Sequence, residues 1–555
     1  MAQISGGHLV ARYLKEVEGV STVFSLSGGH IDRIYDGFLR YGVKVVDARH
    51  EQAAAMMAHA YTIYTGRPGV CLVTAGPGFT NALTGLVNAS LENVPLVVLS
   101  GTAPVRDWEK GALQEMKQAE MARGVVKWHG MCHDTRRIAE YLSTAFRFAV
   151  NGRPGPVLLE MPPDVLNVSV DEATVGPATR GSVVFRSQPD PRAAKRAAQA
   201  VAEAKKPLIL GGSGVAFSGC GEVLQKFVEK TGIPFVLMNA GRGVLPDTHP
   251  LCLWDGTQTT LMTALMSADC ILALGIRFNW LLLYGQGFPQ AKVVRVDIEP
   301  SEINRNRPAD IGLCGDLSLA LDQLLGLVQP KDCPAWIQEL KLLSQAGAEG
   351  EKASRYAPSA PIHPARLVEL VRQAAGDGAI YIMDGGDTSY FGVMGLTATE
   401  KASVLGAAGG LLGCLGTGVP FGVGAKLARP DKRVVVVSGD GSFGFNAMEF
   451  DTALRHNAPF VCVIVNDQAW GMIKHGQEIC YGPDRCIGSE LGVIHYEKVA
   501  EALGGFGVFV EKEQDVIPAM KAALDSGKPA CVNVLTDKSI TSPATLLFSQ
   551  SLKMD

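Results

Sequence analysis

This sequence is short of charge and of long apolar runs. Asp, Glu, Lys and Arg make up only 19% of its 555 residues, hydrophobic residues make up 47%, and the net charge is −4. No stripe rich in Lys and Arg is present, so nucleic acid and membrane surfaces are not expected partners. No uninterrupted apolar run reaches the about 18 residues of a membrane-spanning helix. The opening, MAQISGGHLVARYLKEVEGV, has neither the basic start nor the apolar stretch of a signal peptide, which makes the cytoplasm the expected compartment. CxxC pairs are missing too. The 12 cysteines fall singly, several within apolar runs (Cys71, Cys270, Cys462), and read as reduced core residues instead of disulfides or a zinc site. Low-complexity segments and short-period repeats are absent, and a chain of this length holds about three domains of ordinary size.

What is present is a rhythm of strand then helix. STVFSL, VKVVDA, GVCLVTA, PLVVLSG and PVLLEM are buried strand candidates in a first block. KPLILGG, PFVLMNA, CILALG and KVVRVDIEP repeat the theme in a middle block, and AIYIMD, RVVVVSGD, FVCVIVND and ACVNVL in a third. Two irregular stretches part the blocks: Asp171 to Pro191, and Gln329 to Pro364, where a charged helix-like piece precedes APSAPIHP. The expected fold class is α/β, with three doubly wound parallel-sheet domains at residues 1–170, 191–328 and 365–555.

The richest chemistry lies between Gly439 and Gln468. RVVVVS stops at Gly439-Asp440, a helix is expected from about Asn446 to His456, and PFVCVIV stops at Asn466-Asp467. In one right-handed βαβ unit both strand ends emerge at the same sheet edge, so Asp440 and Asp467 come side by side where open α/β sheets bind ligands. Hard carboxylate oxygens suit Mg²⁺ or Ca²⁺ there, and Gly441 and Ser442 offer backbone N–H groups to phosphate oxygens. A plain turn capped by Asp440 would leave the second acid unexplained. In the first block FSLSGGHID carries Gly29 and His30 at a Gly-rich strand exit, and DARHEQAAAMMAHAY opens a helix on Glu51. Taken alone, Glu51 also suits the helix dipole and His30 a turn.

The GDG at Gly439 to Gly441, with Asn466-Asp467 at the next strand end, resembles the thiamine diphosphate signature. The order of blocks (pyrimidine-binding, middle, pyrophosphate-binding) is that of the acetolactate synthase superfamily. The resemblance implies thiamine diphosphate and Mg²⁺, with Ca²⁺ as the alternative ion, held by Asp440, Asp467 and the backbone carbonyl of Ala469. It places Glu51 beside the aminopyrimidine ring and Gln114 of LQE over the cofactor, both as catalytic groups. Further cofactor contacts implied are Gly29, Pro77 in VTAGPGFTNALTGLVNA, Leu415 in GCLGTG, Gly439, Gly441, Ser442, Trp470, Gly471 and Met472. Leu415 also reads as a core residue.

GGHID and WGMIKHGQEICYGPDR look most like benzaldehyde lyase, whereas GIRFNWLLLYGQ and VVRVDIEPSEI look more like 2-hydroxyacyl-CoA lyase. In such lyases a His at position 30 moves the substrate hydroxyl proton, a task suited to a group titrating near neutrality. The implied substrate pocket is His30, Gln114, Ser389, Met472 and Ile473; decarboxylases of the superfamily commonly carry a Glu in place of Ile473. Benzaldehyde lyase has Trp, Tyr and Ala where this chain has Pro163, Ser389 and Met472, so benzaldehyde itself is not implied. The expected activity is cleavage or formation of 2-hydroxy ketones from aldehydes, with a 2-hydroxyacyl-CoA lyase or an acetolactate synthase-type transferase as alternatives. A catalytically dead regulatory relative would lack a motif residue, and none is missing. The expected partners are a small-molecule substrate and further copies of the chain, as a dimer of dimers with active sites between subunits. The glycines of GGSGVAFSG (Gly211 to Gly219) would allow FAD or ADP in the middle block, with Arg277 and Asp297 as contacts. A strand-to-helix turn needs glycine anyway, and the two charges read as loop ends, so no nucleotide is expected there.

Overall fold

The computed structural model describes residues 2–254, 258–406 and 411–552; Met1 and residues 553–555, at the outer ends of the expected first and third blocks, lie outside the described residues. Three all-parallel sheets carry the architecture. The first runs Lys44–Asp47, Thr22–Ser25, Gly69–Val73, Leu96–Gly101, Val157–Met161, Trp128–Met131 from edge to edge. The third repeats that order with Val404–Gly406, Ile380–Asp384, Val434–Gly439, Val461–Asn466, Ala530–Leu535, Phe506–Val510. The middle sheet runs Phe235–Leu237, Pro207–Gly211, Cys270–Leu274, Lys292–Asp297, Ile311–Cys314. Central strands such as Cys270–Leu274 and Val461–Asn466 are buried along their whole length, which is why they read as unbroken apolar runs. Trp128–Met131, Ile311–Cys314, Val404–Gly406 and Phe506–Val510, each at the edge of its sheet, escaped the sequence reading; each is short or only partly buried, so none writes a long run of buried apolar residues. In every sheet the winding reverses between the second and third strands of the order given, and ligands bind at the carboxyl ends of strands flanking such a reversal.

One local expectation is corrected. Instead of a single helix from Asn446 to His456, two short helices form, Asp440–Asn446 and Glu449–Arg455. The break lets Asn446 donate its side-chain amide to the Gly416 carbonyl (2.7 Å) while Glu449 turns toward the first block. Between the first and middle blocks, a strand Ser169–Asp171 pairs antiparallel with Gln3–Ser5, and the buried Glu18 carboxylate accepts from the Gly181 N–H (2.6 Å).

The first and third blocks meet along the helices Glu51–Thr65 and Gly418–Ala428. Small residues make this seam: Ala53, Ala54, Ala58 and Ala60 are fully buried, and a Cβ on Gly424 would lie 2.4 Å from the Met57 carbonyl oxygen. Glu449 accepts from the backbone N–H groups of Arg49 (3.0 Å) and His50 (3.1 Å), and His456 meets Asp47 at 2.8 Å. His59 is buried inside the seam, its ring 4.9 Å from that of Phe421, and accepts from the Asn88 amide at 3.4 Å. Burial pushes its pKa down to about 3.

The unfolded chain therefore takes up a proton at His59 that the folded chain refuses, and stability falls as pH drops from about 6.5 toward about 3. His59→Leu keeps the burial and removes this titration. We expect it to flatten the acid side of the stability profile by up to about 1.4 kcal/mol per pH unit, read by urea unfolding at a series of pH values. A stability difference from wild type that does not change between pH 7 and pH 5 would contradict a neutral buried imidazole.

Candidate active site

Strand Val434–Gly439 pairs in parallel with Val461–Asn466, Gly439 opposite Val465, so Asp440 and Asp467 leave the sheet as neighbours. Asp440 is buried and Asp467 half-buried. Burial raises the pKa of both carboxyl groups, and the nearby charge of Asp467 raises that of Asp440 further. Asp440 Oδ1 accepts the Gly441 N–H at 2.8 Å, but Oδ2 is buried with no partner. The Ala469 N–H donates to Asp467 Oδ1 at 3.2 Å. Gln468 adopts φ +63°, and its carbonyl accepts from Leu491 (2.8 Å) and Gly492 (3.0 Å), which fixes the turn carrying Ala469 and Trp470. Two glycines are demanded by close approach: a Cβ on Gly471 would lie 2.1 Å from Asp467 Oδ2, and one on Gly441 2.6 Å from the Trp470 ring. Two adjoining carboxylates, one of them buried with an unsatisfied oxygen, suit a hard divalent cation with oxygen ligands. The Gly441 N–H is engaged by the Asp440 carboxylate itself, because the helix begins at Asp440 with no intervening loop.

Leu415 is half-buried in a turn held from both sides. Asp384, at the end of strand Ile380–Asp384, accepts the Gly418 N–H at 2.8 Å, and Asn446 holds the Gly416 carbonyl. Burial pushes Asp384 up to about 6. Its role went unnoticed in the sequence, although AIYIMD carries the same strand-end acid signal as Asp440 and Asp467. Gly386 leaves room for Met472, whose Sδ lies 2.6 Å from where a Cβ would sit. Ser389, on the helix Asp387–Gly395, has a buried hydroxyl without a partner, and Ile473 is exposed.

In the first block His30, Glu51, Pro77 and Gln114 come together at one sheet edge. His30 lies in the turn after Thr22–Ser25, its Nδ1 3.5 Å from Thr74 Oγ1, and a Cβ on Gly29 would meet nothing within 4 Å. Glu51 opens its helix at 5% exposure and accepts from Asn81 at 3.0 Å through Oε2, while Oε1 faces Gly78. Gly76, at φ +62°, lies against Gln114, itself at φ +60°. Gln118 organises this edge and was missed: it accepts the Gly76 N–H (2.9 Å) and donates to the Gly101 carbonyl (3.0 Å) and to buried Glu160 (2.9 Å). A single Gln in an irregular stretch gives no sequence signal. Glu449, which holds the backbone just before Glu51, was hidden because its partner lies in another block. Among the described residues no hydrogen bond or ion pair joins the Glu51 set to the Asp440 set.

In the middle block a cleft opens at the carboxyl ends of Pro207–Gly211, Cys270–Leu274 and Lys292–Asp297. Gly212, Ser213, Gly214, Arg277 and Asp297 line it, so the two charges expected as loop ends face one cleft. Arg277 also donates to the Leu91 carbonyl, bringing the first block to the rim. A Gly-lined turn with an Arg and an Asp at strand ends has the chemistry to hold a nucleotide.

Three family descriptions match the chain: "Thiamine pyrophosphate enzyme, N-terminal TPP binding domain" at residues 4–121, the "central domain" at 194–324 and the "C-terminal TPP binding domain" at 384–534. A probable acetolactate synthase of Mycobacterium bovis is 35% identical over 97% of this chain and 96% of its own length. The acetolactate synthase isozyme 3 large subunit of Escherichia coli is 33% identical over 95% and 93%. A 2-hydroxyacyl-CoA lyase of Arabidopsis thaliana is 31% identical over 96% of each chain.

Because both carboxyl groups are held high, their ionisation opposes folding of the cofactor-free protein as pH rises through that range. Asp440→Asn removes the repulsion. It should raise the melting temperature of the cofactor-free protein at pH 8 by a few degrees and cancel the rise that Mg²⁺ with thiamine diphosphate gives the wild type. Calorimetric melting with and without the two additions decides; a wild type indifferent to both would remove the cation site.

Proposed function

The chain belongs to the thiamine pyrophosphate enzymes, and on that premise we propose that it is a Mg²⁺-dependent carbon–carbon lyase and carboligase of 2-hydroxy ketones and aldehydes. Asp440, Asp467 and the Ala469 carbonyl would hold the cation, and Gly439, Ser442 and Leu415 would seat the cofactor. When bound, thiamine diphosphate supplies the nucleophilic carbon that joins the substrate carbonyl. Glu51 would exchange a proton with the cofactor ring through Oε1, since Asn81 occupies Oε2. His30, the observation that carries the reading, moves the substrate hydroxyl proton at Nε2, because its Nδ1 is turned to Thr74. Gln114, Ser389, Met472 and Ile473 shape the pocket; an Ile at 473 brings no acid for simple decarboxylation. The second reading, an acetolactate synthase-type transferase, is favoured by the 35% identity to a protein of that name. In both readings the enzyme works in the cytoplasm, and the middle cleft is a nucleotide site.

Shared active sites complete the proposal. Leu113 is 77% exposed beside Gln114, Phe445 is 55% exposed beyond Ser442, and Pro77 is exposed as well, so both edges present apolar surface for a second copy. Pairs of such dimers would give the tetramer.

His30→Ala should depress acyloin cleavage by about 10²–10⁴-fold while cofactor binding persists. A wild type that consumes pyruvate but leaves acetoin and benzoin untouched would favour the synthase, and His30→Ala would then matter little. Mixing inactive Glu51→Gln and Asp440→Ala subunits should restore part of the activity through hybrid sites. No recovery after verified subunit exchange would refute shared sites.

A further inference from the structure

Helix Gly471–Tyr481 carries Met472 and Ile473 on its first turn and then buries His475, which the proposed chemistry does not use. His475 Nδ1 lies 3.1 Å from Asp387 Oδ2, and its Nε2 lies 3.0 Å from the Lys538 carbonyl oxygen. A carboxylate and a carbonyl only accept, so both ring nitrogens carry hydrogen and the ring is a buried cation paired with Asp387. Asp387 is the first residue of the helix that carries Ser389. Its other oxygen accepts from the hydroxyls of Ser542 (2.5 Å) and Thr545. Ser542 and Thr545 open the carboxyl-terminal helix Pro543–Leu552, which packs along Gly471–Tyr481, where Cys480 Sγ lies 3.7 Å from the Ser549 carbonyl.

Three chain segments thus converge on one buried ion pair. The helix of Ser389 and the helix of Met472 and Ile473 are bridged by it, and among the described residues the carboxyl-terminal segment supplies its remaining hydrogen-bond partners: one carbonyl and two hydroxyls. Met472 already touches Gly386, next to Asp387, so the separation of these helices has little slack. We propose that His475 is a positioning residue: its bridge to Asp387, braced by Lys538, Ser542 and Thr545, sets the gap between the two helices that flank the substrate pocket, so the carboxyl-terminal segment controls pocket width. The inference rests on the pocket assignment made under the proposed function.

The test uses full-length protein loaded with Mg²⁺ and thiamine diphosphate. In His475→Ala, amide hydrogen exchange of residues 537–549 and of Gly471–Tyr481 should accelerate about 10- to 100-fold, as for loss of a charge-assisted hydrogen bond, while the strand Val461–Asn466 exchanges as in wild type. Cofactor affinity should hold, and KM should rise by about the same factor at nearly constant kcat, on whichever of acyloin or pyruvate the wild type turns over. The exchange measurement needs no substrate, so failure of the functional reading leaves it intact. Should His475→Ala loosen the strands as well, Ser542→Ala with Thr545→Val, which acts from the tail side alone, must give the same local acceleration. Wild-type exchange in the tail, or a loosened tail with KM unchanged, overturns the proposal.

Discussion

Two carboxylates buried against each other at the edge of a parallel sheet are the constraint around which the third block is arranged. Asp440 and Asp467 are forced together by the parallel pairing of the strands that precede them, and Asp440 Oδ2 is buried there without a hydrogen-bond partner among the described residues. An arrangement of that kind persists only where the surrounding structure over-determines it. The left-handed Gln468, the absence of a side chain at Gly471 and the contact of Gly441 with Trp470 all serve to hold the pair in place. The neighbouring turn around Leu415 is fixed in the same manner, by an acid at the end of the adjacent strand.

The first block is tied to this one through small residues instead of large ones. Backbone contact between Gly424 and Met57 brings the two seam helices close enough for Glu449 to reach the N–H groups of Arg49 and His50. The entry of the Glu51 helix is therefore set by the third block of the same chain, although Glu51 itself makes its hydrogen bond to Asn81 within the first.

The relatives carry the names of both a synthase and a lyase at similar identity, over nearly the full chain. Such a spread is physically reasonable, because the cofactor-holding residues impose one chemistry while a few side chains around it choose the substrate. In this chain the helices Asp387–Gly395 and Gly471–Tyr481 are joined by a buried ion pair to the carboxyl-terminal helix.

The central strands, their order in blocks and the strand-end acids Asp440 and Asp467 were legible in the sequence. Burial on both faces writes an unbroken apolar run, and a polar residue ending such a run marks a sheet edge. The thiamine enzyme family followed from those residues and from Glu51. Four of the edge strands, the split of the helix after Asp440 and the engagement of the Gly441 N–H were not legible, since each depends on what lies alongside. Gln118, Glu449, Asp384 and His475 share a property: each acts through partners far away in sequence, such as Glu449 with His50 or His475 with Lys538. The sequence by itself determined the secondary-structure periodicity and the chemistry offered at strand ends, because both are local. Only the tertiary structure decided which buried polar groups face one another, since that depends on how three sheets and their covering helices come to rest.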